Sequence, residues 1–403
     1  MKDARMLLSD LKVVEWSTWV AGPGCAALMA DWGASVIKVE SAAGDATRAF
    51  FPDTAESPGN PVFTMENRGK RGIVLDTAKP EGRAAMLALM KQADVFITNV
   101  RPGSLTRAGL DYDSVRGACP QLIYANVTGY GLTGEMADAA AFDITAFWAR
   151  SGAARSMIPP DQEPFPSRPG FGDHFTALAT LSGVLAALHE RTRTGQGRRV
   201  ETALMRVGAY AVGWDLSLLL RYGDVTTAQP KRDRMVAFSG FFHTADDRWF
   251  VVVVKSPNDY PNVMRAIGKA EMLEDPRYRP PYSDIEHVRT VRGVLDAAFG
   301  AMTLEQASAL LNEADIAFAP MDSLHDLEMN PQAHEAGIFV ETPDGWGGSF
   351  WGPASPVRFP GLETAPRGPA PKLGQHTREV LLELGYDEPT VAAMLAAGAA
   401  LQR

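Results

Sequence analysis

Residues 11–40, LKVVEWSTWVAGPGCAALMADWGASVIKVE, indicate the fold class of this chain. The apolar run LKVVEW predicts a buried strand, GCAALMADWG predicts a helix, and SVIKVE predicts a second strand. Further elements are a helix predicted over 80–93 and strands predicted at 72–76 (GIVLD), 94–100 (DVFITNV) and 122–131 (LIYANVTGYG). This alternation of strands and helices predicts an α/β fold with a Rossmann-like parallel sheet and right-handed crossovers.

The second half of the chain differs in composition and predicts a smaller α+β domain. Residues 222–235 are polar and typical of a linker, whereas SGFFHTADDRWFVVVV at 239–254 predicts a hairpin with its turn at ADDR. Helices are predicted at 261–268, 285–300 and 303–314.

These patterns divide the chain into three parts. We expect a large domain over 1–220, the smaller domain over 225–330 and a C-terminal segment over 331–403. The last segment is rich in Gly and Pro, so we expect it to wrap over another surface before two final helices at 377–386 and 388–401.

Composition limits the classes of function. The 403 residues carry a formal net charge of −9, which argues against binding to nucleic acid or to an anionic membrane surface. Only Cys25 and Cys119 are present, so the sequence offers neither a disulfide framework nor the spacing of a metal site. The N-terminal residues lack the apolar core of a signal peptide, and we expect a cytoplasmic protein without a membrane span.

Asp173 is the leading candidate for a catalytic residue. It lies in PFPSRPGFGDHFTALATLSGVLAAL, residues 164–188, where a Pro/Gly-rich loop changes into a long apolar helix. Gly172 is expected to let the backbone bend or to let a ligand approach closely. The carboxylate of Asp173 either caps the helix or acts as a nucleophile near the positive end of the helix dipole. His174 is expected to pack or to face solvent.

The start of the chain also resembles a dinucleotide-binding motif. Gly22-Pro23-Gly24-Cys25-Ala26-Ala27 fits G-x-G-x-x-A after a strand, and Glu40 ends the second strand where an acid could bind a ribose. The turn before the glycines is long, however, and Pro23 removes one N–H that could face a pyrophosphate. We interpret the glycines as permitting tight packing of a helix on strands, with an NAD-dependent oxidoreductase as the alternative.

Cations follow or precede several predicted strands. They recur in a chain that is acidic as a whole, which suggests a polyanionic ligand such as a phosphorylated nucleotide derivative. These cations are Arg48, Arg68, Lys70, Arg71, Arg101 and Arg107.

Taken together, these motifs resemble those of the family III CoA transferases, the group that includes formyl-CoA transferase, carnitine CoA transferase and α-methylacyl-CoA racemase. The resemblance covers nearly the whole chain and is carried by the stretches at 13–40, 44–48 (GDATR), 67–76 (NRGKRGIVLD), 98–112 (TNVRPGSLTRAGLDY), 124–131 (YANVTGYG), 172–204 and 369–386 (PAPKLGQHTREVLLELGY). It implies a homodimer of two interlocked subunits, with the C-terminal segment returning to the large domain.

The resemblance also implies a reaction. Asp173 matches the family's catalytic aspartate, which forms an acyl anhydride and then a CoA thioester before an incoming carboxylate collects the CoA. Acyl-CoA and a carboxylic acid are implied as substrates, with no permanently bound cofactor and no metal. The CoA contacts that carry over by position are Val20, Ala21, Leu75, Asp76, Asn99, Val100, Arg101, Arg107, Phe142 and Asp143.

Departures from the family's pattern restrict the reactions and acceptor acids that we expect. The racemase branch has a histidine where this chain has Phe142, and racemisation by two bases needs a proton acceptor on each face of the α-carbon. Transfer is therefore favoured, with an acyl-CoA racemase or epimerase as the alternative. Residues 235–248 lack the glycine run of the formyl-CoA branch, and Val20 and Ser41 replace its glutamine and arginine, so oxalate is not expected as acceptor. Apolar residues at Phe142, Phe147, Trp148 and Met157 suggest a larger, more hydrophobic acid.

Overall fold

The computed structural model describes residues 6–51, 54, 59–224, 228–229, 234–362 and 364–403. Its strands are β1 (Lys12–Trp16), β2 (Ser35–Glu40), β3 (Arg71–Leu75), β4 (Val95–Thr98), β5 (Ile123–Thr128), β6 (Arg199–Ala203), β7 (Gly240–His243), β8 (Trp249–Val253), β9 (Ala317–Pro320), β10 (Phe339–Pro343), β11 (Ser349–Pro353) and β12 (Ala400–Leu401).

The helices, in the same described residues, are α1 (Ala21–Asp31), α2 (Pro61–Asn67), α3 (Pro80–Gln92), α4 (Pro102–Ala108), α5 (Tyr112–Val115), α6 (Ala153–Met157), α7 (Phe171–Thr194), α8 (Leu204–Ala211), α9 (Gly213–Tyr222), α10 (Asp259–Ala266), α11 (Ile285–Gly300), α12 (Leu304–Glu313), α13 (Leu324–Met329), α14 (Pro331–Glu335), α15 (Thr377–Glu383) and α16 (Glu388–Ala396). Short 3₁₀ turns occur at Ala46–Ala49, Ala270–Glu274 and Pro276–Tyr278, and a π-helical turn at Asp143–Ala149.

The chain divides into two compact units. The larger one contains the described residues of 1–158, 164–225 and 334–403, and the smaller one those of 159–163 and 226–333. The predicted linker at 222–235 lies partly outside the described residues.

A seven-stranded sheet forms the centre of the larger unit, in the order β12-β3-β2-β1-β4-β5-β6. The strands β1 to β6 pair in parallel, which confirms the α/β prediction, and Val13 of β1 lies between Val36 and Val95. The strand order reverses direction at β1, with β2 on one side and β4 on the other. Open α/β sheets bind ligands beyond the carboxyl ends of their strands at such a reversal, because the two crossovers diverge there and leave a crevice.

Apolar side chains cover both faces of this sheet, as parallel strands require. On one face, Phe96 and Tyr124 pack with α3 and the C-terminal helices. On the other, Ile97 packs with α1 and α7. By length and composition α7 could cross a membrane, but its buried residues, among them Ala177 and Val184, lie in this second core. The helix is therefore accounted for as a core element of the larger unit.

The C-terminal segment contains more regular structure than its Gly/Pro content predicts. Residues 339–353 form the antiparallel hairpin β10–β11. The predicted helix at 388–401 ends at Ala396, and the chain then adds β12 antiparallel to β3, with Ala400 opposite Leu75. Helices α15 and α16 contribute Val380 and Val391 to the core beside β3.

The smaller unit contains a three-stranded antiparallel sheet in the order β7-β8-β9. The predicted hairpin is confirmed, with Phe242 of β7 opposite Phe250 of β8. These two rings and Phe299 of α11 pack in the core of this unit, and the predicted helices correspond to α10, α11 and α12.

Candidate active site

Asp173 lies in the first turn of α7 but does not cap it. The helix begins one turn earlier than a cap at Asp173 would require, with Gly170 at the N-cap position and a φ of 79° that favours glycine. Asp143 supplies the missing acceptor, since its Oδ2 accepts a hydrogen bond from the N–H of Gly172 at 3.1 Å. The capping interpretation of Asp173 is therefore wrong, because a different carboxylate satisfies the helix end.

Gly172 is needed for packing rather than for a bend or a ligand. Its φ is not positive, and a Cβ built on it would overlap the ring of Phe147 in the π-helical turn. Phe147 is buried at 1% exposure, so it has little freedom to move. The glycine thus lets the start of α7 lie directly against the turn that carries Asp143.

The surroundings of Asp173 favour its protonated form. Burial, followed by the negative charge of Asp143, raises the pKa of Asp173 to about 7; His174 opposes this shift, and Glu66 adds a smaller contribution that raises the pKa. Burial also raises the pKa of Asp143. Near neutral pH the side chain of Asp173 therefore exchanges between an ionised carboxylate and a neutral acid.

His174 and Glu66 form a pair beside this carboxylate. The imidazole Nε2 lies 2.8 Å from Oε1 of Glu66, and this hydrogen bond is the main cause of a raised pKa for His174. Glu66 is buried on α2, and a Cβ on Gly24 would lie 2.7 Å from its Oε2. The second glycine of the dinucleotide-like motif therefore makes room for a carboxylate of the site.

A cleft of about 540 Å³ runs along the carboxyl ends of the strands and reaches Asp173. The segment after β4 is held against the segment after β1, since the side chain of Asn99 accepts from the N–H of Thr18 at 3.0 Å and donates to its carbonyl at 2.7 Å. Five of the predicted CoA contacts line this cleft, namely Ala21, Asn99, Val100, Arg101 and Phe142.

A second cavity, of about 860 Å³, also reaches Asp173 and is mainly apolar. Trp19 and Phe142 line both cavities, with their rings edge to face at 5.2 Å between centroids. Among the residues that the structure describes, Asp173 is the one carboxylate that lines both. The other large apolar side chains of this cavity include Phe50, Phe51, Met65, Ile144, Phe350 and Trp351.

A family model described as CoA-transferase family III matches residues 8–377. The (R)-2-hydroxy-4-methylpentanoate CoA-transferase of Clostridioides difficile is 36% identical over 394 residues, which are 96% of this chain and 97% of that protein. The chain belongs to CoA-transferase family III.

Two further relatives agree with this assignment. The cinnamoyl-CoA:phenyllactate CoA-transferase of Clostridium sporogenes is 30% identical over 97% of this chain and 96% of its own. The crystal structure of a CAIB/BAIF family protein from Brucella suis matches with a TM-score of 0.82 at 28% identity, covering 94% of this chain and 99% of that one. As a family III member, the protein is an enzyme that transfers CoA between carboxylic acids.

The remaining residues predicted to contact CoA lie elsewhere in this CoA transferase. Val20 and Asp143 line the apolar cavity. Leu75 is buried in the core beside β12, and Asp76 follows it at the end of β3. Arg107 donates to the hydroxyl of Ser104 within α4 and does not line the cleft.

Four of the six cations expected to bind a polyanion form ion pairs within the chain instead. This corrects the prediction for them, since their charge is already matched. The pairs are Arg48 with Glu40, Arg68 with Asp31, Lys70 with Glu15, and Arg71 with Glu379 and Glu383. Arg101, in contrast, is exposed at the cleft and has no ion-pair partner within the described part of the chain.

The glycine motif at the start of the chain serves packing, as we interpreted it. Helix α1 begins at Ala21, so the glycines lie inside its first turn and not in a loop before it. A Cβ on Gly22 would lie 2.5 Å from Oγ of Ser17 and 3.9 Å from Ile97 of β4. The motif therefore brings α1 close to the sheet, and nothing in this geometry favours the dinucleotide alternative.

A separate group of buried charges, the Glu15 network, lies behind the site. Lys38 is 3.1 Å from both Glu15 and Asp45, and Lys70 is 2.8 Å from Glu15. The ammonium of Lys70 also donates to the carbonyl of Glu66 at 2.6 Å. This contact fixes the backbone of the residue that holds His174. Within the described residues, no group of three or more His, Cys, Asp or Glu side chains is placed to hold a metal ion.

Proposed function

We propose that CoA transfer in this enzyme proceeds through covalent intermediates on Asp173. The observation that carries the proposal is the position of this carboxylate between the cleft and the apolar cavity. An acid at that junction can reach a thioester whose CoA lies on one side and whose acyl group lies on the other. Binding both parts orients the reacting atoms, which supplies much of the rate that a weak carboxylate nucleophile needs.

The proposed steps are those that the family resemblance implies, and this placement of Asp173 is compatible with them. A carboxylate oxygen of Asp173 attacks the thioester carbonyl carbon, the C–S bond breaks, and CoA leaves as a thiolate. The thiolate then attacks the aspartyl carbonyl of the mixed anhydride, which releases the donor acid and leaves CoA bound to Asp173. The acceptor carboxylate attacks the carbonyl carbon of the aspartyl thioester, the C–S bond breaks, and a second mixed anhydride forms. The released thiolate then attacks the acyl carbon of the acceptor in this anhydride, which gives the new acyl-CoA and frees the carboxylate of Asp173. The apolar cavity limits hydrolysis of the anhydride because it excludes water.

The cleft is the proposed site of CoA, with Asn99, Val100 and Arg101 at its rim. A free guanidinium suits the phosphates of CoA, which Arg binds with two hydrogen bonds. The aromatic walls of the other cavity suit acids with a bulky apolar group, consistent with the methylpentanoate and phenyllactate in the names of the relatives. Phe142 offers no proton acceptor, which supports transfer over racemisation.

The protein is further proposed to be a cytoplasmic homodimer of interlocked subunits, with CoA as substrate and no resident cofactor. Helix α9 supports an assembly, since Trp214 and Tyr222 are 83% and 75% exposed and α9 has no buried residue. Light scattering at micromolar concentration is expected to give twice the mass of the chain. A monomer under these conditions contradicts this part of the proposal.

Trapping the intermediate tests the mechanism. The enzyme is incubated with an acyl-CoA, hydroxylamine is added, and peptides are mapped by mass spectrometry. We expect a hydroxamate on Asp173 and loss of activity, with neither in the absence of acyl-CoA. Asp173→Asn provides the matched control and is expected to stay unlabelled. Transfer that continues while position 173 is never modified contradicts the proposal.

A further inference from the structure

His174 has a role in the structure that helix packing does not explain. It follows Asp173 on α7, lines the apolar cavity and leaves 43% of its side chain exposed. Its Nε2 is bound to Glu66, whereas Nδ1 has no hydrogen-bond partner among the described residues. The imidazole therefore presents one unused polar atom next to the proposed nucleophile.

Glu66 determines the chemical character of that atom. A buried carboxylate at 2.8 Å keeps a proton on Nε2 and favours the imidazolium, in which both ring nitrogens are donors. Nδ1 is then an N–H donor rather than an acceptor. Gly170 leaves this edge of the ring open, since a Cβ at that position would lie 3.3 Å from Cε1 and 3.6 Å from Nδ1.

Most of the cavity around this donor cannot accept a hydrogen bond. Aromatic and aliphatic side chains such as Phe50, Ile144 and Trp351 form its walls. A donor that loses water without gaining a partner is unfavourable, so a substrate that supplies an acceptor there is preferred over one that does not.

We propose that His174 selects acids that carry a hydroxyl or another hydrogen-bond acceptor on the carbon next to the reacting carboxyl group. The inference rests on the proposed function, because it takes the carboxyl carbon of the substrate to be bonded to Asp173 during the reaction. Asp173 and His174 are neighbours in the first turn of α7, both line this cavity, and their charges interact. A substituent one bond from the carboxyl carbon can therefore approach the imidazole while the carboxyl carbon is bonded to Asp173. The preferred class is the 2-hydroxy acids with an apolar side chain.

A competing occupant is a dicarboxylic acid, because Arg168 also lines the cavity. The walls favour the hydroxy acid, since a second carboxylate would lose its hydration beside Phe350 and Trp351. The test therefore includes glutarate as a third acid.

Two substitutions distinguish the contribution of Nδ1 of His174 from that of Nε2. The amide nitrogen of Gln in His174→Gln reaches the position of Nε2 and keeps a donor for Glu66, whereas that of Asn in His174→Asn reaches the position of Nδ1. The transfer of CoA from one acyl-CoA donor is measured with three acceptor acids: 4-methylpentanoate, 2-hydroxy-4-methylpentanoate and glutarate. Thermal melting confirms that each variant is folded.

We expect the wild type to favour the hydroxy acid over its deoxy analogue by about 10- to 100-fold in kcat/KM, the usual range for a hydrogen bond to a charged donor. In His174→Gln, kcat/KM for the hydroxy acid is expected to exceed that for the deoxy acid by no more than about threefold. In His174→Asn, a larger part of the wild-type preference is expected to remain. Equal use of the two acids by the wild type, an unchanged ratio in His174→Gln, or a preference for glutarate overturns the role of His174. Absence of transfer to all three acids contradicts the proposed function as well.

Discussion

Two groups of buried charge lie close together in this enzyme and differ in balance. In the Glu15 network, two carboxylates, those of Glu15 and Asp45, face the two ammonium groups of Lys38 and Lys70. At the active site, the carboxylates of Asp143, Asp173 and Glu66 share one imidazole, that of His174. The first group is neutral as a set, and the second has an excess of negative charge.

The pKa values of Glu15 and Asp173, one acid from each group, are shifted in opposite directions. Burial opposes ionisation of Glu15, but the attraction of Lys38 and Lys70 outweighs it and lowers the pKa of Glu15 to about 2. Burial and like charge together raise the pKa of Asp173 to about 7. Burial thus accompanies a charged acid where cationic partners are sufficient, as at Glu15, and an acid that titrates near neutral pH where they are not, as at Asp173.

The first prediction separates activity from stability at the unbalanced site. Asp173→Asn is expected to lower kcat by about a thousandfold or more, because no nucleophile remains. Above neutral pH the melting temperature is expected to stay equal or rise, since the substitution removes one of the crowded negative charges. Steady-state rates and thermal melting at pH 8 measure both. A folded variant that keeps most of its activity contradicts the assignment of the nucleophile.

The second prediction concerns the balanced network. Lys38→Met is expected to destabilise the protein by about 3–5 kcal/mol, because Glu15 and Asp45 lose a buried partner. Urea unfolding measures the change. Lys91→Met is the control, since Lys91 is exposed at the end of α3 and its loss is expected to change stability by less than about 1 kcal/mol. Equal effects of the two substitutions contradict the structural role of the network.

The third prediction tests whether close packing of α7 on the turn that carries Asp143 is needed to position the carboxylates of Asp143 and Asp173. Gly172→Ala places a methyl group against Phe147 and is expected to cost about 1–3 kcal/mol of stability and to reduce transfer. Gly293→Ala, in α11 with nothing within 4 Å of the added Cβ, is expected to be neutral or to stabilise by up to about 1 kcal/mol. If both substitutions behave alike, the contact with Phe147 is not what requires glycine.

The sequence predicts the strands and helices better than it predicts which charged side chains pair with one another. The five strands β1 to β5, the helices α1 and α3 and the position of Asp173 near the start of α7 follow from apolar periodicity and from Gly and Pro, which act within a few residues. The short helices α2, α4 and α5 were not predicted. Glu66 and His174 are 108 positions apart, and no local pattern marks either as a partner of the other. A charged residue looks the same in a sequence whether the tertiary structure pairs it, as with Lys70, or leaves it without an ion pair to any described residue, as with Arg101.

The hairpin β10–β11 was missed for a related reason. Its strands contain Gly, Pro and Trp, residues that also occur in irregular segments, and the hairpin brings Phe350 and Trp351 to the wall of the apolar cavity. The residues that shape this cavity come from six separate parts of the chain, so their proximity depends on the tertiary fold. The family resemblance offered Asp173 as the candidate nucleophile, and this residue lines both cavities. The same resemblance carried over Leu75 and Arg107 as CoA contacts, although neither of them lines the cleft.

The last prediction is the smallest and concerns the cause of the raised pKa of Asp173. Only the ionised carboxylate attacks, so transfer is expected to increase as pH rises through about 7 and then to level off. Asp143→Asn removes a like charge, which lowers the pKa of Asp173, and the inflection is expected to move to lower pH. Asn also accepts a hydrogen bond at a helix N-terminus, so the contact with Gly172 can persist. The effects of Glu66 and His174 on Asp173 remain in both proteins.

Asp113→Asn, at an exposed position of α5 that lines neither cavity, is the matched loss of one negative charge outside the site and is expected to leave the inflection in place. A rise of the inflection in Asp143→Asn, or an equal shift in Asp113→Asn, contradicts the like-charge cause. Such a result would leave burial, already the largest cause, without a contribution from the charge of Asp143, and the excess of carboxylates at the site would then not distinguish it from the Glu15 network.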